Sequence, residues 1–108
     1  MVYEMRTYHV CPGRMPEMID RFRSGALPLF EKHGICQAGF WTMLVGGSNL
    51  DLMYLLKWNS MAEREERWTA FSTDPEWIAI RTASERNGPL VASVTNAFLA
   101  PTEFSRPA

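Results

Sequence analysis

The sequence predicts an α+β domain whose elements follow the order β-α-β-β-α-β, with four strands in one antiparallel sheet. Three observations predict it: an extended run opens the chain, a helical period replaces the period of two after residue 13, and a glycine-rich turn separates two further strand-like runs. The 108 residues suffice for one hydrophobic core without disulfides or metal. We therefore predict one domain over residues 1–100 and a tail over residues 101–108.

The first strand, over residues 2–10, is the predicted centre of the fold. Aromatic and β-branched side chains dominate it, but a carboxylate and a guanidinium, Glu4 and Arg6, stand two residues apart. Because side chains alternate across a strand, Glu4, Arg6 and Tyr8 leave by the same face. That face is therefore where a structural ion pair or specific chemistry is expected.

A helix follows Pro12 and Gly13, because the apolar residues change to a period of 3.6. Proline removes one internal hydrogen bond and clashes with the preceding turn, so Pro28 predicts a kink or break over residues 24–28. Gly34 supplies a left-handed cap and ends the helix. The apolar stripe consists of Met15, Met18, Ile19, Phe22, Ala26, Leu29 and Phe30.

Residues 36–45 and 50–58 predict the second and third strands. Both are rich in aromatic and aliphatic side chains, and the turn residues 46–49 between them predict a hairpin. Each of the two strands carries apolar side chains on both of its faces. The hairpin therefore belongs to a sheet that is covered on both sides.

Two short helices form the second helical connection. Ser60 and Glu63 have the spacing of a capping box, and Asp74 precedes a proline, which predicts a second cap. This second helix is expected to end near residues 87–89, and residues 90–99 predict the fourth strand. The side chains expected to point inward from the first short helix are Met61, Trp68 and Phe71.

Composition excludes several classes of partner. The formal net charge is −1 and basic residues alternate with acidic ones, so no nucleic-acid surface is expected. No apolar run reaches the length of a membrane span and no signal peptide opens the sequence, which predicts a cytoplasmic protein without a membrane partner. The two cysteines are expected to be reduced.

Several motifs together resemble the NIPSNAP family over nearly the whole chain. They are Tyr3-Glu4-Met5-Arg6-Thr7-Tyr8, Pro12-Gly13, Leu27-Pro28-Leu29-Phe30-Glu31-Lys32-His33-Gly34, Gly39-Phe40-Trp41-Thr42, Asp74-Pro75-Glu76-Trp77 and Pro101-Thr102-Glu103-Phe104. The resemblance implies a ferredoxin-like subunit of the dimeric α/β-barrel superfamily, which also contains cofactor-free monooxygenases, haem-degrading enzymes and chlorite dismutase-like proteins. It implies no agreed reaction. The strand motif differs from the usual one in carrying Met5 in place of leucine.

The apolar pattern of the strands predicts a homodimer, or a multiple of dimers, independently of that resemblance. Right-handed crossovers place both helical connections on one side of the sheet. The opposite face would then expose a large apolar surface to water. A second copy of the sheet is the simplest cover for it.

Arg6, Tyr8 and His9 are the candidate catalytic residues, and Glu4, Arg6, Tyr8, Trp41 and Trp58 are the candidate ligand-binding residues. In one interpretation Glu4 and Arg6 form a structural ion pair that fixes register. In the other, Arg6 and Tyr8 anchor an anionic or enolate-like ligand, because guanidinium groups hold planar oxyanions well. The tryptophans either line an aromatic pocket or pack the core.

The histidines invite metal and acid–base interpretations. His9 is a candidate general base or a partly solvated residue near a strand end, and the helix dipole explains His33. A zinc site would require His9 and Cys11 to meet His33 and Cys36. The topology places these pairs at opposite ends of the sheet, so we predict no metal, no Cys11–Cys36 disulfide and no cofactor.

Three functional hypotheses follow. The first is a NIPSNAP-family protein that binds a small, largely apolar or aromatic anionic molecule between sheet and helices. The second is a cofactor-free monooxygenase-like enzyme that acts on a small aromatic or polyketide-like substrate. The third is a structural interaction module.

Overall fold

A computed structural model describes residues 1–106, so the last two residues of the predicted tail lie outside the described part. The predicted order of elements is confirmed. The strands are β1 (Val2–Val10), β2 (Cys36–Thr42), β3 (Asp51–Trp58) and β4 (Val91–Leu99). The helices are α1 (Met15–Arg21), a π-helical turn (Phe22–Ala26), α2 (Leu27–Lys32), α3 (Met61–Ser72) and α4 (Pro75–Ser84).

The four strands form one antiparallel sheet in the order β2-β3-β1-β4. Strand β1 is therefore central, with Arg6 opposite Tyr54 on β3 and opposite Asn96 on β4. This is the ferredoxin-like arrangement that the sequence predicts. It places each side chain from Tyr3 to His9 beside neighbours from two other strands.

The predicted irregularity in the first helical connection is a π-helical turn rather than a break. The amide of Leu27 donates to the carbonyl of Phe22, five residues earlier, so the backbone widens just before Pro28. Gly25 lies against α4: a Cβ there would approach Cγ2 of Ile80 to 2.7 Å. The chain therefore stays helical from α1 to α2, with its widened turn packed against α4.

One predicted boundary and one predicted side-chain orientation are wrong. Strand β2 ends at Thr42 rather than at residue 45, and the side chains of Leu44 and Val45 are 94 % and 93 % exposed. These two residues have no partner strand, because β3 begins only at Asp51. Met61, predicted to point inward, opens α3 and is exposed.

The predicted helix caps are confirmed. The Ser60 hydroxyl accepts from the Glu63 amide at 3.1 Å, and the Glu63 carboxylate accepts from the Asn59 amide at 3.3 Å. Asp74 accepts from the Glu76 amide at 2.9 Å and caps α4. The short connection between α3 and α4 is thereby fixed.

The helices lie on one face of the sheet, which we call the helix face, and the core lies between them. On β3 the side chains alternate regularly, with Leu52, Tyr54, Leu56 and Trp58 buried on the helix face. We call the opposite side the open face. Among residues 1–106, no helix is both long and apolar enough to cross a lipid bilayer.

Candidate functional site

Glu4 is fully buried on the helix face and lies at the centre of a polar cluster. Its Oε2 accepts from Arg6 Nη1 at 3.0 Å, from Arg64 Nη2 at 3.1 Å and from Asn96 Nδ2 at 2.9 Å. Its Oε1 accepts from Arg64 Nε and from Trp58 Nε1, both at 3.1 Å. The carboxylate is thus tied to β1, β3, α3 and β4 at once.

These five hydrogen bonds explain how a charge is tolerated in the core. Burial alone would raise the pKa of Glu4, but hydrogen bonds from Arg64, Asn96 and Arg6 outweigh burial and lower that pKa. The carboxylate therefore stays ionised at neutral pH. Two guanidinium groups face this one buried carboxylate, and Arg64 also pairs with the largely exposed Glu65 at 2.7 Å.

A chain of hydrogen bonds continues from Arg6 through two tyrosines. Arg6 Nε donates to the Tyr54 hydroxyl at 2.9 Å, and the hydroxyls of Tyr54 and Tyr8 are also 2.9 Å apart. Burial raises the pKa of Tyr54 well above its ordinary value, so this phenol keeps its proton.

The direction of the hydrogen bond between Tyr54 and Tyr8 follows from which neighbouring groups can donate and which can accept. Because Arg6 can only donate, the hydroxyl oxygen of Tyr54 must accept from it. Within residues 1–106 the only remaining partner for the Tyr54 hydrogen is the Tyr8 oxygen. If Tyr8 donated to Tyr54 instead, the hydroxyl hydrogen of the fully buried Tyr54 would lack an acceptor. Such a loss costs about 1–3 kcal/mol. Tyr54 therefore donates to Tyr8, and the hydrogen of Tyr8 is left to point elsewhere.

The Arg6 guanidinium lies beside both tyrosines and Trp68. Its hydrogen bonds to Tyr54 and Glu4 leave from Nε and Nη1, and its Cζ lies 5.7 Å from the ring centroid of Tyr8. The guanidinium lies 4.4 Å from the ring centroid of Trp68. Toward β4 this region is uncovered: Asn96 is exposed, and Val94, opposite Tyr8, is 43 % exposed.

The sequence matches the family model of NIPSNAP over residues 3–106. The chain belongs to the NIPSNAP family. It is 31 % identical over 75 residues to the curated human relative Protein NipSnap homolog 3A and 29 % identical to mouse homolog 3B. The chain spans 30 % of the length of these relatives.

Solved structures of NIPSNAP proteins share this fold. A protein of unknown function from Agrobacterium tumefaciens superposes with a TM-score of 0.84 at 24 % identity, covering 97 % of this chain and 91 % of that one. One from Burkholderia xenovorans gives 0.85 at 22 % identity, covering 99 % and 100 %. A candidate antibiotic biosynthesis monooxygenase from Nitrosomonas europaea gives 0.63 at 6 % identity, covering 93 % and 97 %. These likenesses show the fold alone.

The NIPSNAP domain brings together most of the residues that the sequence singled out. Glu4, Arg6, Tyr8 and Trp58 lie in one cluster on the helix face. Trp41 does not join them, because its position on β2 directs its side chain to the open face, where it is 50 % exposed. The indole of Trp58 contacts Glu4 rather than an open pocket.

Sequence reasoning missed three members of the cluster, Arg64, Tyr54 and Asn96. Arg64 stands in a run of alternating charges, which is typical of a solvated helix face. Tyr54 and Asn96 look like ordinary strand residues, and only the register places them opposite Arg6. The alternation of side chains on β3 could have assigned Tyr54 to the helix face.

Both histidines pair with carboxylates, which the sequence did not predict. His33 Nε2 lies 2.7 Å from Asp74 Oδ2, so a specific partner and not only the helix dipole fixes it. His9 Nδ1 lies 2.7 Å from Asp51 Oδ1 on the open face. His9 is therefore neither solitary nor part of the Glu4 cluster.

Two further features complete the description. An apolar pocket of about 350 Å³ lies between the first helical connection and strands β2 and β3. Within residues 1–106 no three His, Cys, Asp or Glu side chains are grouped in a way that could hold a metal ion. The lining residues of the pocket are Ile19, Phe22, Arg23, Leu27, Phe40, Trp41, Thr42 and Leu52. Trp41 therefore borders a pocket, although it lies outside the Glu4 cluster.

Proposed function

We propose that this NIPSNAP domain binds a small aromatic molecule that carries an anionic oxygen, and that Tyr8 and Arg6 hold that oxygen. The observation that carries the proposal is the hydrogen-bonded chain from Arg6 through Tyr54 to Tyr8. With Tyr54 donating to Tyr8, the hydroxyl hydrogen of Tyr8 finds no acceptor within residues 1–106. A hydroxyl donor without an acceptor, beside a guanidinium, favours a ligand oxygen that only accepts, as in a carboxylate or an enolate.

Charge supports the same ligand class. Arg6 and Arg64 both contact Glu4, so two guanidinium groups share one buried carboxylate inside the cluster. Arg64 also contacts Glu65, but that carboxylate lies largely in water and is screened. A bound anion beside Arg6 would balance the excess charge where screening by water is weak.

The surroundings favour an aromatic body for the ligand. Trp68 lies against the Arg6 guanidinium, and Phe22 lies 5.5 Å from Tyr8 between ring centroids. On the side of β4, Val94 and Phe98 expose apolar surface on the helix face. A planar ring between these groups would bury apolar area and bring its anionic oxygen to the two donors.

The test is a titration of tryptophan fluorescence or heat with 1-naphthoate and its neutral analogue 1-naphthamide. Tyr8→Phe removes the free donor and should weaken naphthoate binding by about 1.5–3 kcal/mol, roughly 10- to 150-fold, because a hydrogen bond to a charged group is lost. Tyr3→Phe is the matched control, since Tyr3 lies on the same strand but on the open face. Equal binding of the amide and the acid, or an unchanged affinity in Tyr8→Phe, contradicts the proposal.

Turnover of the same ligand class with oxygen is a second candidate function. The fold likeness to the candidate monooxygenase from Nitrosomonas europaea favours it by analogy. Oxygen consumption in the presence of 1-naphthol, compared between the wild-type protein and Tyr8→Phe, tests it. Consumption that is absent in both proteins excludes this turnover for that substrate.

We also propose that the domain forms homodimers through an apolar surface on the open face, located on β1, β3 and β4. The surface stays partly exposed in a single chain, and a second copy would remove it from water. A cytoplasmic location is proposed as well, in keeping with two free cysteines. The residues of this apolar surface are Tyr3, Met5, Met53, Leu55, Ala97 and Leu99.

A further inference from the structure

The apolar pocket of about 350 Å³ lies beside the edge strand β2 and opens to water. Its volume falls within the range of roughly 300–1,000 Å³ that is typical of small-molecule sites. Thr42 and Arg23 line it and are exposed, so a ligand can enter from solvent. None of the described residues that line the pocket belongs to the proposed dimer surface, so that surface does not cover it.

The π-helical turn builds one wall of this pocket. The Leu27 amide donates to the Phe22 carbonyl, so one widened turn separates the two residues and places them nearly one above the other. In a regular α-helix, with 3.6 residues per turn, they would stand about 140° apart around the axis. The widened turn therefore directs both residues to the same pocket, together with Arg23 between them.

The inner lining of the pocket is hydrocarbon. Phe22 and Leu52 are buried there, and the side chains of Ile19, Leu27 and Phe40 that complete this lining also carry no polar atom. A polar group placed against them would lose its hydrogen bonds to water without replacement. The body of a ligand in this pocket is therefore an unsubstituted hydrocarbon.

The arrangement of the rings favours a chain over a flat ring system. Phe40 stacks on Tyr54 at 4.6 Å between centroids, with an interplanar angle of 12°. Phe22 meets Phe40 edge to face, at 5.0 Å and 66°. Two rings in this relation do not form a flat slot that could hold an aromatic ring between parallel faces. A flexible aliphatic chain adapts to such walls.

A single cation stands at the rim. Arg23 is the one charged residue among the described residues that line the pocket, and its side chain is 71 % exposed. Its ion pair with Asp20 is long, at 3.7 Å, and Asp20 is equally exposed and lies outside the lining. Because water screens such a pair, the guanidinium is free to bind a second oxyanion. The charge of the rim thus suits a carboxylate at the end of the chain.

We infer that this pocket is a second ligand site, which takes a medium-chain aliphatic monocarboxylate. The chain lies against Phe22, Leu27 and Leu52, and the carboxylate accepts from Arg23. The inference does not rest on the proposed aromatic ligand. Leu52 on β3 stands in one row between Tyr8 on β1 and Thr42 on β2, and it therefore separates the two sites.

The experiment is a calorimetric titration with hexanoate, octanoate and the neutral octanamide. Each buried methylene raises affinity about fourfold, so octanoate should bind roughly 15-fold more tightly than hexanoate. Arg23→Gln should weaken octanoate binding roughly 2- to 5-fold, as expected for an exposed charge contact, and should leave octanamide binding unchanged. Arg81→Gln, which removes an exposed arginine of α4 outside the pocket, is the matched control.

The location is read on wild-type protein by NMR with labelled methyl groups. Nuclear Overhauser contacts from octanoate should reach the methyl groups of Ile19, Leu27 and Leu52 and not those of Val94, which lies beside the Tyr8 site. Tyr8→Phe should bind octanoate as tightly as the wild type, whether or not naphthoate binds. Absence of saturable octanoate binding, contacts at Val94 in place of Leu52, or equal octanoate affinities in Arg23→Gln and Arg81→Gln overturns the inference.

Discussion

The two faces of the sheet reverse the usual distribution of polarity. On the helix face, β1 buries the charged side chain of Glu4 completely and that of Arg6 almost completely. On the open face, the same strand leaves the apolar side chains of Tyr3 and Met5 only partly buried. A single chain would be expected to bury the apolar groups and solvate the charges.

This reversal teaches two things about the molecule. The buried charges persist because Glu4 satisfies donors from four different elements and thereby fixes how β1, β3, β4 and α3 meet. The exposed apolar rows are the basis of the proposed homodimer. The chain's own helices pack on the helix face, whereas no helix covers the open face within residues 1–106.

The largest effect on stability is expected from removing the carboxylate at the centre of the helix-face cluster. Glu4→Leu removes the acceptor of Arg6, Arg64, Trp58 and Asn96 together and should lower the free energy of unfolding by about 3–5 kcal/mol. Urea denaturation followed by circular dichroism measures it. An effect below about 1 kcal/mol would show that the cluster does not hold the elements together.

The double variant Glu4→Leu, Arg6→Met tests whether Glu4 stabilises the fold through more partners than Arg6 alone. For an isolated ion pair, replacement of both members by apolar residues is close to neutral. Here Arg64 and the buried indole of Trp58 would still lose their acceptor, so the double variant should remain destabilised by about 2 kcal/mol or more. A double variant as stable as the wild-type protein would show that Glu4 and Arg6 act only as an isolated ion pair.

On the open face the expected effect is on assembly rather than on folding. Leu55→Lys places a charge in the middle row of the apolar surface, between Met5 and Gly39. Each buried leucine contributes about 1.5–3 kcal/mol and a homodimer loses two of them, so the dimer should be weaker by roughly 100-fold or more. Sedimentation equilibrium over a range of concentrations measures the change. Glu66→Lys, at an exposed position of α3 in the helix layer, is the control, and a wild-type protein that is already monomeric contradicts the prediction.

A matched pair of tryptophans compares the two faces directly. Trp58→Phe loses a buried hydrogen bond to Glu4 and should cost about 1–3 kcal/mol of stability. Trp41→Phe, at a half-exposed position on the other face, should stay within about 0.5 kcal/mol of its parent. Both should be measured in the Leu55→Lys background, so that assembly does not contribute. Equal losses at the two positions would remove the proposed distinction between the faces.

The sequence predicts the sheet and its faces well because the period of two is strong in β1 and β3. It places Glu4, Arg6 and Tyr8 on one side correctly, since alternation depends only on neighbours in the chain. Contacts that depend on register are different. His9 meets Asp51 across 42 positions, and no local pattern encodes that pairing.

Arg64 illustrates a second limit of sequence reasoning. Its neighbours in α3 are alternating glutamates and arginines, and most of such a run faces water. Only the position of α3 over β1 aims this one guanidinium at Glu4, with its side chain 14 % exposed. The sequence therefore predicts that a buried carboxylate needs partners but not which cations supply them.

The smallest expected effect is a loss of stability at acid pH that involves the pair formed by His33 and Asp74 in the helix layer. Hydrogen bonds from Lys32 and His33 and from the Glu76 amide lower the pKa of Asp74 from 3.8 to about 2. Because the unfolded chain binds this proton more readily, the pair stabilises the fold fully above about pH 4, and its contribution is lost as the pH falls toward 2. Free energies of unfolding, measured by urea denaturation in steps from pH 5 to pH 2, should show this slope.

Asp74→Asn separates the charge of this residue from its role as a cap. Asparagine still accepts from the Glu76 amide, so α4 should keep its start, but the side chain no longer titrates. Its stability should therefore fall less steeply than that of the wild-type protein between pH 4 and pH 2. Asp20→Asn is the control, because Asp20 and Arg23 are exposed and 3.7 Å apart, and its slope should match the wild type. If Asp74→Asn also follows the wild-type slope, the acid sensitivity of the helix layer arises at another carboxylate.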